Sequence, residues 1–120
     1  MKEVITLQLL RAETHGTTKV FFLSSAVWLV VGTVLGFVDA THLAAPEMLG
    51  NLPWIVFGRV RPMHTNVVIF GFVGSALLGA SHYLVYTLLR TPLFNERLGK
   101  LSVWVWNLSI IAGTVTLSLG

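Results

Sequence analysis

The chain has no cysteine, so disulfide frameworks, thiolate metal sites, iron–sulfur clusters and haem attached through a C-x-x-C-H motif are all excluded. Charge is almost as scarce. Only 11% of the 120 residues are Asp, Glu, Lys or Arg, against 54% hydrophobic residues and a mean hydropathy of +0.78. A soluble domain of this length carries about a quarter charged residues, so the composition is that of a membrane protein. No internal repeat or low-complexity tract breaks the chain, and no polar tail follows the last apolar run before Gly120. That ending reads as a truncation, and the chain as a piece of something larger.

What is present are three apolar runs, over residues 20–38, 62–89 and 101–120. Each is close to or above the roughly 20 residues that cross a bilayer as a helix. The expected fold is therefore an all-α membrane protein with three transmembrane helices. The first run is too long and too late for a signal-peptide core and reads as a retained anchor. A net charge of +3 is not a nucleic-acid signal here, because the basic residues flank the apolar spans. Lys2, Arg11 and Lys19 precede the first span, and Arg90, Arg97 and Lys100 lie between the second and third; the 39–61 loop holds only Arg59 and Arg61. The positive-inside rule then puts the N-terminus in the cytoplasm and the 39–61 loop outside.

Smaller features fill in the arrangement. Residues 1–18 mix charge with Val4, Ile5, Leu7, Leu9 and Leu10, as a short interfacial helix would. Ser24, Ser25, Gly32 and Gly36 make the first span able to pack closely. The outer loop carries Pro46, Gly50, Pro53 and Gly58 but also Leu52, Trp54 and Phe57, so it is expected at the interface with Trp54 at headgroup depth. Pro62 suits a helical first turn, where its missing N–H is no loss. Asn107, an amide inside the third span, requires a partner on another helix.

The chemistry-bearing stretch is Arg59-Val60-Arg61-Pro62-Met63-His64-Thr65-Asn66. An ionisable side chain at a membrane helix mouth is a functional candidate. His64 has the nitrogen to ligate a haem iron, and Arg59 and Arg61 have the guanidinium forks that bind propionates. Interfacial snorkelling is the ordinary role for such arginines. At about 100° per residue, Gly71, Ser75 and His82 fall within roughly 20° of His64 around a helix, with Gly79 nearby. Two readings of that face stand side by side: room for a flat macrocycle, or a small-residue seam for a neighbouring helix. His82 lies about 27 Å along the axis from His64 and cannot share its iron; it reads as an interhelical hydrogen-bonding residue, with a second haem as the alternative. His15 and His42 read as surface residues. Asp39 and Glu47 are loop acids that could pair with the arginines or bind a cation.

Leu52-Pro53-Trp54, Phe57-Gly58-Arg59-Val60-Arg61-Pro62-Met63-His64-Thr65-Asn66, Val68-Ile69-Phe70, Ser75-Ala76-Leu77 and the closing Thr116-Leu117-Ser118-Leu119-Gly120 together resemble the catalytic subunit of cbb3-type cytochrome c oxidases, the C family of haem–copper oxidases. The resemblance runs from about Pro46 onward and loosely includes the first span; its specific element is the R-P-x-H-T-N stretch. Ser75 and His82 stand where the family often has Asn and an aromatic. The resemblance implies a many-helix subunit of a bacterial cytoplasmic-membrane oxidase, of which this chain would be the N-terminal portion. It implies reduction of dioxygen to water with electrons from cytochrome c, coupled to proton pumping. His64 would be an axial ligand of low-spin haem b and Arg61 would lie near its propionates, with Arg59 beside it. High-spin haem b3, copper and the second axial histidine would come from the remainder of subunit I, and c-type cytochrome subunits would be partners. Such a segment alone would be inactive. The large subunit of nitric oxide reductase shares His-Thr-Asn and is the nearest alternative, although the Phe-Gly-Arg-x-Arg-Pro lead-in favours the oxidase. A small non-enzymatic haem b anchor and a haem-free three-helix protein are the other readings.

Overall fold

Three long helices, each apolar enough to cross a membrane, make up the computed structural model, which describes residues 15–120. They are α1 (Gly16–Ala44), α2 (Phe57–Leu89) and α3 (Glu96–Leu119), with a short 3-10 turn at Pro46–Leu49 between the first two. No strand occurs among the described residues. The interfacial helix expected near the N-terminus falls largely on residues 1–14, outside those described.

Every helix outruns its apolar core, because backbone pairing continues past the last apolar residue when a cap or neighbour supports it. α3 begins at Glu96 rather than at residue 101, since the Asn95 side chain accepts from the backbone N–H groups of Arg97 and Leu98. That cap draws Arg97 and Lys100 from the expected loop into the helix, where Lys100 is buried. Likewise α2 begins at Phe57, so Pro62 sits inside the helix and not in its first turn. A proline there cannot donate to the Gly58 carbonyl. The helix continues through it, and His64 lies a full two turns from the start. At about 1.5 Å per residue α2 is roughly 50 Å long, well beyond a hydrocarbon core of about 30 Å.

α2 is also not uniform. Between Phe57–Asn66 and Ser75–Leu89 runs a π-helical stretch, Val67–Gly74. Its wider turns stop the 100°-per-residue arithmetic from carrying through from His64 to His82.

The centre is small and polar as well as apolar. Val20, Phe21 and Val103 form a buried cluster with Leu78 and Trp106 packed on it. Beside it, Asn107 Oδ1 accepts from Ser24 Oγ and Trp28 Nε1, both at 2.6 Å. The expected partner of the intramembrane amide is therefore α1. Towards the Arg90 end, Thr17 Oγ1 donates to Glu96 Oε2 at 2.7 Å and its N–H donates to the same oxygen at 3.1 Å. Elsewhere large apolar side chains such as Phe37, Leu77, Leu88 and Leu108 face outward, as suits lipid or further helices.

Candidate haem-ligand site

His64 sits between two glycines of α1. Its Nδ1 lies 2.8 Å from the Gly32 carbonyl, and its ring fills the space beside Gly36, where an added Cβ would stand 2.8 Å from Cε1. Only glycine at position 36 lets the imidazole lie this close. A carbonyl accepts but cannot donate, so Nδ1 carries the proton and donates. In the neutral ring the lone pair is then on Nε2. A ring nitrogen anchored to a backbone carbonyl, with the other left basic, is the arrangement of metal-ligating histidines. The donor chemistry therefore fits one axial position on a haem iron. No cluster of three or more His, Cys, Asp or Glu side chains suited to a metal ion occurs among the described residues, but haem takes only axial ligands from protein.

The two arginines diverge. Arg61 is exposed, its guanidinium 5.9 Å over the Phe57 ring, at one end of a groove of about 430 Å³ lined also by Pro62, Thr65, Asn66, Ile69 and Phe70. Arg59 turns to α3 and donates from Nη1 to the Ser118 carbonyl at 3.2 Å. Asn66 donates to Thr114 Oγ1, also on α3. The motif thus fans out: His64 to α1, Arg59 and Asn66 to α3, Arg61 to the open groove.

Gly71 and Ser75 belong to the seam with α1. A Cβ on Gly71 would lie 2.7 Å from Trp28 Cγ, and Ser75 is fully buried with its hydroxyl unpaired. Gly79 meets Phe21 in the same way. Trp28 and Phe21 occupy the space that the alternative reading gave to a flat macrocycle. His82 does not bond across helices as expected: its Nδ1 lies 2.7 Å from the Leu78 carbonyl one turn back, and its ring stacks at 5.4 Å on Phe21. A carbonyl of its own helix satisfies Nδ1, and the α1 side chain packed against the ring, Phe21, has no hydrogen-bonding group. Asp39 lies inside α1, buried, with Oδ1 unpaired, rather than in a loop facing the arginines. His15 is half-buried with its ring on edge against Tyr86 at 4.1 Å, not a free surface residue.

The described residues form a bundle of three helices apolar enough to cross a membrane, and the comparisons give the family. The chain belongs to the cytochrome c and quinol oxidase polypeptide I family, whose pattern it matches over residues 16–120. It is 40% identical to the cbb3-type cytochrome c oxidase subunit CcoN1 of Stutzerimonas stutzeri over 91% of this chain and 23% of that one. It is 42% identical to a cytochrome c oxidase subunit 1 homolog of Agrobacterium tumefaciens over 82% of this chain and 18% of that one. A further homolog, from Bradyrhizobium diazoefficiens bacteroids, is 40% identical over 72% of this chain. The chain spans about a quarter or less of the length of these relatives.

Proposed function

We propose that this chain forms part of subunit I of a cbb3-type terminal oxidase in a bacterial cytoplasmic membrane, with its N-terminus on the cytoplasmic side. The whole enzyme takes electrons from cytochrome c, reduces dioxygen to water and pumps protons. The observation that carries the reading is the family match over residues 16–120 with 40% identity to a cbb3-type subunit, and the His64 Nδ1 contact to Gly32 O, which leaves Nε2 as the basic nitrogen, supports the ligand role. His64 would hold low-spin haem b through Nε2, as one of its two protein ligands. A haem held there would supply one-electron transfer. Gly32 fixes the tautomer of the ligand, and Gly36 gives its ring room. Arg61, exposed at its groove, would bind the propionates. Arg59, which donates to Ser118 O, would add positive charge beside them. Haem b3, copper and the contacts to c-type cytochrome subunits lie in the rest of subunit I.

The test is His64→Ala in the full-length subunit, assembled with its partners. The expected result is loss of the six-coordinate low-spin signal and of cytochrome c-driven oxygen uptake, with the high-spin haem retained. A normal low-spin spectrum in that variant would sink the ligand assignment.

A further inference from the structure

The π-helical stretch begins one residue after Asn66, directly beneath His64, and side chains of both other helices hold it. Widening a turn from i,i+4 to i,i+5 pairing disturbs the regular bonding of its carbonyls. Two carbonyls of the stretch accept donors from outside α2. Ser25 Oγ of α1 donates to Phe72 O at 2.8 Å, and Trp106 Nε1 of α3 donates to Phe70 O at 3.2 Å. Phe72 O also accepts from the Ser75 N–H, a tight i,i+3 closure at the end of the stretch. Gly74 completes the fit: a Cβ there would stand 3.1 Å from Trp106 Cζ2 and 3.2 Å from Ile69 O. The wide turn thus sits against the indole because position 74 has no side chain.

The geometry matters for His64. A π turn absorbs residues without the full rotation that an α turn gives them, so the flanking α segments are turned relative to one another. Taking up one residue's worth of rotation would swing His64 by about 100° about the helix axis. That swing is enough to lift its ring out of the Gly32–Gly36 slot. We infer that Ser25 and Trp106 are positioning residues: by pinning Phe72 O and Phe70 O they hold the π turn and so aim His64 at its slot. The functional half of this inference rests on the reading of His64 as a haem ligand; the structural half does not.

The variants are Ser25→Ala, Trp106→Phe and the two combined, in the full-length subunit within the assembled oxidase. The haem-independent readout is cross-linking of a cysteine pair, with the subunit's other cysteines replaced. The pair is Gly32→Cys with Val68→Cys, because the space beside Gly32 is filled by the Val68 side chain, whose Cγ2 is 2.9 Å from a built Cβ. Thr17→Cys with Gly99→Cys, whose Cβ positions are 3.0 Å apart at the far end of the bundle, reports whether the helices still pack. The double variant is expected to cut the 32/68 yield severalfold, to keep the 17/99 yield, and to shift the electron paramagnetic resonance g-values of the low-spin haem. An unchanged 32/68 yield overturns the inference. A lowered yield with unaltered g-values overturns its functional half, and His64→Ala then shows separately whether the ligand assignment itself has failed. If the double variant loses both cross-links, the single variants, each keeping one clamp, are judged by the same two outcomes.

Discussion

Replacing Asn107 with Leu tests the polar centre of the bundle. Its Oδ1 is the shared acceptor for Ser24 Oγ and Trp28 Nε1, and its Nδ2 donates back to Val103 O at 2.8 Å. Leu keeps the branching at Cγ with larger terminal groups, so the change removes every hydrogen bond while retaining the side chain's shape. Interhelical hydrogen bonds in membranes average about 0.6 kcal/mol and reach about 1.7, which puts two of them at about 1 to 3 kcal/mol. The two donors left behind are not equivalent. Ser24 can turn its hydroxyl to a carbonyl of its own helix one turn back, as serines in helices do. An indole N–H on α1 has no such recourse, and an orphaned buried donor costs about 1–3 kcal/mol. The expected loss is therefore about 2 kcal/mol, close to a thirtyfold shift in the folding equilibrium, and most of it belongs to Trp28.

The assay is reversible unfolding in mixed lipid and detergent micelles, following helix content against the mole fraction of dodecyl sulfate. Trp28→Phe, Ser24→Ala and each combined with Asn107→Leu close two double-mutant cycles. Coupling of about 1 kcal/mol is expected between Trp28 and Asn107, and a smaller value between Ser24 and Asn107. An Asn107→Leu chain as stable as the parent, or cycles in which Ser24 couples more strongly than Trp28, would refute the reasoning.

Two other changes bear on separate parts of the structure. Gly36→Val places a Cβ 2.8 Å from His64 Cε1 and 3.3 Å from Nδ1; in the full oxidase it should displace the imidazole and weaken the low-spin signal, while Gly58→Ala, which meets nothing within 4 Å, should leave that signal unchanged. Asn95→Ala removes the acceptor for Arg97 and Leu98 N–H and should cost about 1 kcal/mol, seen as faster hydrogen exchange at those two amides, with Asn95→Ser or Asn95→Asp restoring most of the protection.

Composition made the three spans legible, because lipid leaves a backbone no stable alternative to the helix. The need of Asn107 for a partner followed from the same solvent argument. What escaped the sequence reading depended on pairs far apart in the chain. The π turn has no local signature in Val67-Val68-Ile69-Phe70; it is held by Ser25 and Trp106, 47 and 36 residues from their acceptors. Helix starts were misjudged for a different reason. An apolar run marks only the part of a helix that lipid or a core covers, whereas Asn95, two residues before Arg97, is the capping signal that marks the start of α3.

The glycine and serine face of α2 shows most clearly where spacing stops. Gly71, Ser75 and Gly79 specify a slot along one side of a helix, and a slot admits anything flat and apolar. A porphyrin and a pair of aromatic side chains are equally suitable on that criterion. Trp28 and Phe21 occupy it because Trp28 is anchored at its indole N–H by Asn107 and Phe21 is embedded with Val20 and Val103. His64 differs from His42 and His82, whose Nδ1 atoms bond to carbonyls of their own helix one turn back, because its anchoring carbonyl belongs to another helix. Gly32 offers an acceptor at one ring nitrogen and Gly36 offers space without an acceptor side chain. A slot built of small residues says how large its occupant is. A histidine whose one nitrogen is held by a carbonyl of a second helix has its other, basic nitrogen fixed in place between the two helices.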